Sequence, residues 1–222
     1  MTAKNAVSGV DKPSPQQSHF GDPQLSWREV ISIYRNPRVI AMAFLGFSGG
    51  LPFLLVFSTL SAWLREAEVS RSTIGFFAWV GITYSIKVFW APVVDRLRLP
   101  VIGALGRRRS WILVAQVGIA LGLLGMSMIG AQDLLLLSVF AVLVAFSSAT
   151  QDIAIDAYRI EAVADRYQGA MSAAYIFGYR VALLVAGAGA FYLAEYLGWT
   201  LAYQVMAGLM LIGIITVLLI RE

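Results

Sequence analysis

Four ionisable side chains stand inside apolar stretches long enough to cross a bilayer. They are Lys87, Asp152, Asp156 and Arg180, with Gln116, Gln151 and Gln204 adding uncharged polarity. A charge at the bilayer centre costs about 2.5 to 3.5 kcal/mol on insertion scales unless it meets a partner or a watery cavity, so these groups are expected to point inward. Asp152 and Asp156 are four residues apart and share one helical face. Counting about 1.5 Å of rise per residue puts Lys87 and Asp152 at a common level, Arg180 near the middle of its stretch and Asp156 close to an inner end. Lys87 and Asp152 are therefore an expected inter-helix ion pair, in which the lysine either neutralises the carboxylate or serves an incoming anion. Arg180 has no acid at its own depth, which favours a role in binding an anionic substrate. The simplest role for Asp156 is a latch to Arg107, Arg108 or Arg159. Asp152 is the first candidate for proton coupling, since a buried carboxylate beside a lysine can exchange its proton, and Asp156 shares its face.

The elements that must hold these groups are legible from composition. The 222 residues are 59% hydrophobic and 14% charged, with a mean hydropathy of +0.73, values that exclude an ordinary water-soluble domain. A spanning helix takes about 20 apolar residues, and six segments follow one another: about 39–64, 72–94, 110–130, 134–157, 169–194 and 199–220. Residues 1–24, rich in Ser, Pro and Gln, are expected to form a disordered cytoplasmic tail. Residues 25–38 place Trp27, Val30, Ile31 and Tyr34 at helical spacing, which predicts an interfacial helix or a plain linker. The expected fold is all-α and integral to the membrane, with any chemistry sited between helices.

Orientation comes from the basic residues. Thirteen Lys and Arg fall on the side of the two termini and only Arg65 and Arg71 on the other, so both termini are expected in the cytoplasm. Trp63 and Trp199 at outer ends, with Trp90 and Trp111 at inner ends, fit an aromatic belt. The net charge of +4 is accordingly read as topology, with membrane lipid as a partner and no nucleic acid. The chain has no cysteine and a single histidine, His19, which argues against disulfides, iron-sulfur clusters, thiol catalysis and an intramembrane metal site. One enzymatic reading is available. Gly46-Phe47-Ser48-Gly49 fits the pattern of rhomboid-type intramembrane serine proteases, but that chemistry needs a histidine on a neighbouring span. His19 precedes the first span, so Ser48 is read as a packing residue and the protein as no enzyme.

The loop after the second segment joins Asp95-Arg96 to Gly106-Arg107-Arg108-Arg109. As composition it is a positive-inside loop, and with Asp95 at its start it can staple adjacent helices through a charge network. In that respect the chain resembles the major facilitator superfamily, with the two halves of the signature set further apart than is usual there. The extended spacing is similar to that of the AmpG-type muropeptide permeases. Further matches are Gly46-Phe47-Ser48-Gly49-Gly50-Leu51-Pro52, Lys87-Val88-Phe89-Trp90-Ala91-Pro92, Ser148-Ala149-Thr150-Gln151-Asp152 through Asp156-Ala157, and Gly178-Tyr179-Arg180.

The resemblance implies the amino-terminal six-helix bundle of a major facilitator fold, built of 3+3 inverted repeats. It implies proton-driven import, across the bacterial inner membrane, of N-acetylglucosaminyl-anhydro-N-acetylmuramyl peptides for peptidoglycan recycling. A sugar-peptide cargo would suit a cavity offering Arg180, Lys87, Gln116, Gln151 and the aromatic faces of Trp79 and Tyr84. The proton gradient would supply the energy and no cofactor is expected. A complete facilitator has two such bundles, so a second half is the expected partner and the chain alone is expected to be inactive. Another organic anion, such as acetyl-CoA, is the alternative cargo.

Overall fold

The computed structural model describes residues 27–100, 103–162 and 164–220, all of whose regular structure is helical. The expected tail, 1–24, lies outside the described residues. Helix α1, Trp27–Tyr34, precedes α2, Pro37–Val56. Asn36 starts α2 by accepting the Arg38 amide at 3.0 Å, and Pro37 occupies the first turn, where its missing N–H is not needed. The chain jogs at Phe57 (φ −112°, ψ −95°) and continues as α3, Ser58–Glu66, so residues 37–66 form one long apolar run.

The second apolar segment is not the single regular helix that 72–94 predicts. It consists of α4, Arg71–Phe77, a 3-10 stretch at Ala78–Gly81, α5, Ile82–Ser85, a second 3-10 stretch at Ile86–Phe89, and α6, Ala91–Arg96. Its composition explains the unevenness: Gly75 and Gly81 weaken the α-helix, and Pro92 supplies no N–H to the turn before it. It is also the run least covered by other elements, 11% buried against 67% for residues 37–66.

Helix α7, Arg107–Ile129, ends at Gly130 with a positive φ, and α8, Leu134–Ala162, begins where Asp133 accepts the Leu136 amide. These two pack antiparallel, Gly118 against Ser147 and Gly125 against Phe140. Helix α9, Gln168–Leu184, passes through a π-helical stretch, Val185–Gly189, into α10, Ala190–Leu219. The run from Asp165 to Leu219 is 55 residues, about 80 Å at 1.5 Å per residue, well over the roughly 30 Å hydrocarbon thickness. Gly198 breaks it, at φ 82° and ψ 159°, a backbone region open essentially to glycine alone.

Contacts show that the chain folds back there. Tyr175 and Tyr179 of α9 meet Gly46 and Gly50 of α2 in the same order, so α9 runs parallel to α2. Beyond Gly198 the order reverses. Trp199 stacks on Trp63 at 6.0 Å, the Tyr203 hydroxyl donates to the Leu55 carbonyl at 2.7 Å, and Gly213 lies against Ser48. The closest of these approaches is between α2 and α9, where a Cβ at Gly46 or Gly178 would strike the backbone of Tyr175 or Ala43. Small residues at helix crossings let backbones approach closely in lipid, where van der Waals contact drives packing.

The apolar core is divided in two. One cluster gathers Leu51, Leu55, Leu60, Trp63, Ile119, Leu123, Val144 and Tyr203, the other Met42, Leu45, Ile112, Ile155, Tyr158, Met171 and Val217. Between them, on α2, α7 and α8, lie Ser48, Gln116, Ser147, Ser148 and Gln151, all buried. The bundle therefore has a polar waist.

Candidate functional site

The waist holds the pair expected from the sequence. Lys87 Nζ stands 4.0 Å from Asp152 Oδ2, with side-chain exposures of 36% and 22%, so the pair meets at the edge of the bundle and not in a sealed core. Lys87 is carried by the 3-10 turn Ile86–Phe89 and Asp152 by α8. The indole of Trp90 donates to Thr150 Oγ1 at 3.2 Å and its ring lies 4.8 Å from that of Phe146, which anchors the lysine-bearing turn to α8. Asp152 Oδ1 has no hydrogen-bond partner among the described residues.

Aromatic hydroxyls complete the surroundings. Tyr175 and Tyr179, one helical turn apart on α9, have ring centres 6.1 Å apart, and Tyr175 approaches the Asp152 carboxylate. Tyr84 packs its ring against Phe53 and Phe57 and lies near Ser148 and Asp152. Gln151 is fully buried, and neither amide atom has a partner among the described residues. Glycine makes this convergence possible: a Cβ at Gly49 would stand 2.9 Å from the Tyr175 hydroxyl and 3.5 Å from Gln151 Nε2.

The other sequence candidates are dispersed. Arg180 lies on the exposed side of α9 with Ile176, Phe177 and Leu184, and no carboxylate pairs with it among the described residues. Gln116 is sealed in the seam of α2, α7 and α10, where its Nε2 donates to Ser48 Oγ at 3.1 Å beside Gly213. Trp79 is 68% exposed and lines a separate apolar groove with Phe76 and the start of α8. Asp156 pairs with Arg159 at 3.4 Å along α8.

At one end of the bundle the Gly106–Arg109 cluster forms a charge network. Arg108, 6% exposed, donates to Asp95 at 2.8 Å and to both oxygens of Glu161 at 2.7 and 3.2 Å, while Arg107 stands 3.5 Å from Glu161. One guanidinium thereby joins the ends of α6, α7 and α8. Arg109 reaches the carbonyls of Val217 and Leu218 at 2.9 Å, tying in the end of α10. Gly106, at φ 112°, turns the chain into α7, and Arg96 is exposed with no ion pair among the described residues. Sequence reasoning missed Glu161, Tyr175 and Tyr179. A count of acids at the end of α8 that meets the arginine cluster would have found the first, and the four-residue tyrosine spacing beside Arg180 the other two.

A bundle of long apolar helices with charged groups in its waist and a stapled charged end is a multi-pass membrane protein of the transporter kind. Comparison with known proteins agrees. Residues 39–136 match the family model described as acetyl-coenzyme A transporter 1. The chain is 38% identical over 197 residues to the anhydromuropeptide permease of Escherichia coli K12, covering 87% of this chain and 39% of the relative. It is 36% identical over 196 residues to a Rickettsia conorii protein named as the transporter AmpG 4, covering 87% of this chain and 47% of the relative. An uncharacterised Haemophilus influenzae protein is 37% identical over 186 residues, 83% of this chain and 43% of its own.

The chain is homologous to the AmpG-type permeases, as the motif residues of its first, second, fourth and fifth segments implied. It spans less than half the length of these relatives. The two with functional names are a permease and a transporter and not enzymes, and this chain is a multi-pass protein of the bacterial cytoplasmic membrane.

Proposed function

We propose that this chain forms a six-crossing bundle of a proton-driven permease that imports anhydro-muropeptides for peptidoglycan recycling, with both termini in the cytoplasm. The fold-back at Gly198 supports six crossings, since it divides the last 55-residue run in two. The excess of arginine beside the charge network supports the orientation. The match covers less than half of each relative, so the working transporter pairs this bundle with a second one and alternates access by rocking the two around a central site.

The observation that carries the reading is the Lys87–Asp152 pair, partly uncovered at the edge of the bundle and flanked by Tyr84 and Tyr175. An ionised pair is retained in a spanning region when it serves a water-filled path. The cargo carries sugar hydroxyls and peptide carboxylates, which match tyrosine hydroxyls, an ammonium and, from Arg180, a guanidinium. When Asp152 accepts a proton, its hold on Lys87 weakens and the ammonium is released to a cargo carboxylate. When the proton leaves on the other side, the pair re-forms and the cargo is displaced. Asp156, paired with Arg159 one turn along, shares the face and assists the same proton exchange.

The test is uptake of labelled N-acetylglucosaminyl-anhydro-muramyl tripeptide into membrane vesicles under an imposed pH gradient. Vesicles holding this chain with a complementary bundle are expected to accumulate it, and vesicles holding this chain alone are not. Gradient-independent uptake, or uptake by the chain alone, would contradict the proposal. A second reading, with a coenzyme A ester as cargo, is favoured by the family model that matches residues 39–136. Thermal protection separates the two: the first reading requires protection by anhydro-muropeptide and none by acetyl-CoA.

A further inference from the structure

A groove of about 690 Å³ runs between the start of α2 and the end of α10, far along the bundle from Trp63 and Trp199. Its walls are Ile40, Phe44, Ile212, Ile215 and Leu219, and Arg38 stands at its mouth. None of its ten lining residues is acidic. The one hydroxyl in the wall, Thr216 Oγ1, is already spent on the Ile212 carbonyl at 2.7 Å, so the groove asks for no polar ligand along its length. Ile40, Phe44, Ile215 and Leu219 leave 46%, 47%, 54% and 76% of their surfaces uncovered.

Both walls are held. Arg109 grips the carbonyls of Val217 and Leu218 at the end of α10, and Arg38 donates to the Ala162 carbonyl at the end of α8. The groove is therefore preformed. Ile212 to Ile220 rises about 12 Å, close to the roughly 15 Å hydrocarbon depth of one leaflet. Arg38 at its mouth is exposed, as is Arg35 three residues earlier in the turn between α1 and α2, and α1 leads into this turn with Ile31 and Tyr34 uncovered at a three-residue spacing, as on an interfacial helix.

We propose that this groove binds one anionic glycerophospholipid of the leaflet that carries the charge network, with its phosphate on Arg35 and Arg38 and an acyl chain between α2 and α10. Charge complementarity selects the occupant. A zwitterionic lipid would fill the same apolar walls but would gain less from two guanidinium groups, and the same face of a second copy, with no acid among its ten lining residues, would offer the arginines no anion. The site is separate from the polar waist and does not depend on the nature of the cargo.

The test is native mass spectrometry of the full chain released from detergent, titrated with phosphatidylglycerol or phosphatidylcholine of identical acyl chains. The unaltered chain is expected to keep one phosphatidylglycerol in preference to phosphatidylcholine, by roughly five-fold for each of the two arginines. The double variant Arg35→Gln/Arg38→Gln should lose that preference while still taking either lipid. Ile215→Trp, which fills the groove, should lower retention of both lipids, whereas Leu121→Trp, at a surface position on α7, should not. Equal retention of the two lipids by the unaltered chain would overturn the proposal. So would a phosphatidylglycerol adduct indifferent to Ile215→Trp, equal losses with both tryptophan variants, or a stable dimer in place of the adduct.

Discussion

Residue by residue, the polar groups of the waist differ in whether they have partners. Lys87 and Asp152 stand 4.0 Å apart at the margin of the bundle, so neither is as costly as an isolated charge in hydrocarbon, yet removing one exposes the other. Lys87→Met is expected to lower stability in detergent by about 1 to 3 kcal/mol, and Lys87→Met/Asp152→Asn by less than the sum of the singles, with coupling read from a double-mutant cycle of unfolding. Additive singles would mean that the two charges ignore each other. Gly178 offers a sharper test of packing, because a Cβ there would strike the Ala43 carbonyl backbone. Gly178→Ala should cost about 1 to 3 kcal/mol as the helices are forced apart. Gly75→Ala, with open space around it, should be neutral or mildly stabilising by thermal unfolding.

Part of this was legible beforehand. Lys87 and Asp152 share a level because helical rise is uniform, which sequence arithmetic captures. Facing is another matter. Gln116 and Gln151 look alike in sequence, yet Gln116 is bonded to Ser48 in a sealed seam while Gln151 lies against Gly49 and Tyr175. Rotation of a helix about its axis is fixed by close glycine contacts with neighbours, and those neighbours are remote in sequence.

At the scale of elements, the Arg108 guanidinium joins three helix ends that are 13 and 53 residues apart in sequence. Asp95 and the arginine cluster announced such a network, but Glu161 did not, since it lies four residues beyond the apolar segment 134–157 although α8 continues to Ala162. Hydrogen bonds to charged groups contribute about 1.5 to 3 kcal/mol each, reduced here because both carboxylates are about half exposed. Arg108→Ala is expected to destabilise the bundle by about 1 to 3 kcal/mol and to speed amide exchange at the ends of α6 and α8. Arg96→Ala should change neither. The broken second segment was not foreseen, because hydropathy reports how apolar a run is and not whether its turns are α or 3-10. A run so little covered by other elements has few packing contacts to enforce a regular helix.

At the scale of the whole molecule, Gly198 decides the topology. Its backbone lies where other residues are strained, so Gly198→Val should cost about 1 to 3 kcal/mol. The proposed topology places positions 66 and 199 on one side of the membrane and 107 and 166 on the other. That the chain is built of long apolar helices was legible because each crossing needs about 20 apolar residues; the described residues hold five runs long and apolar enough to cross, the last of them divided at Gly198.

The most direct test asks whether water reaches the polar waist. The chain has no cysteine of its own, so single substitutions can be labelled in native membranes without background. With Lys87→Cys, Arg180→Cys and Gln116→Cys, a membrane-impermeant thiol reagent should modify positions 87 and 180, more slowly when anhydro-muropeptide is present, and should leave position 116 untouched. Unreactive thiols at both 87 and 180, as at a position facing lipid, would contradict the claim that these charges line a path for cargo.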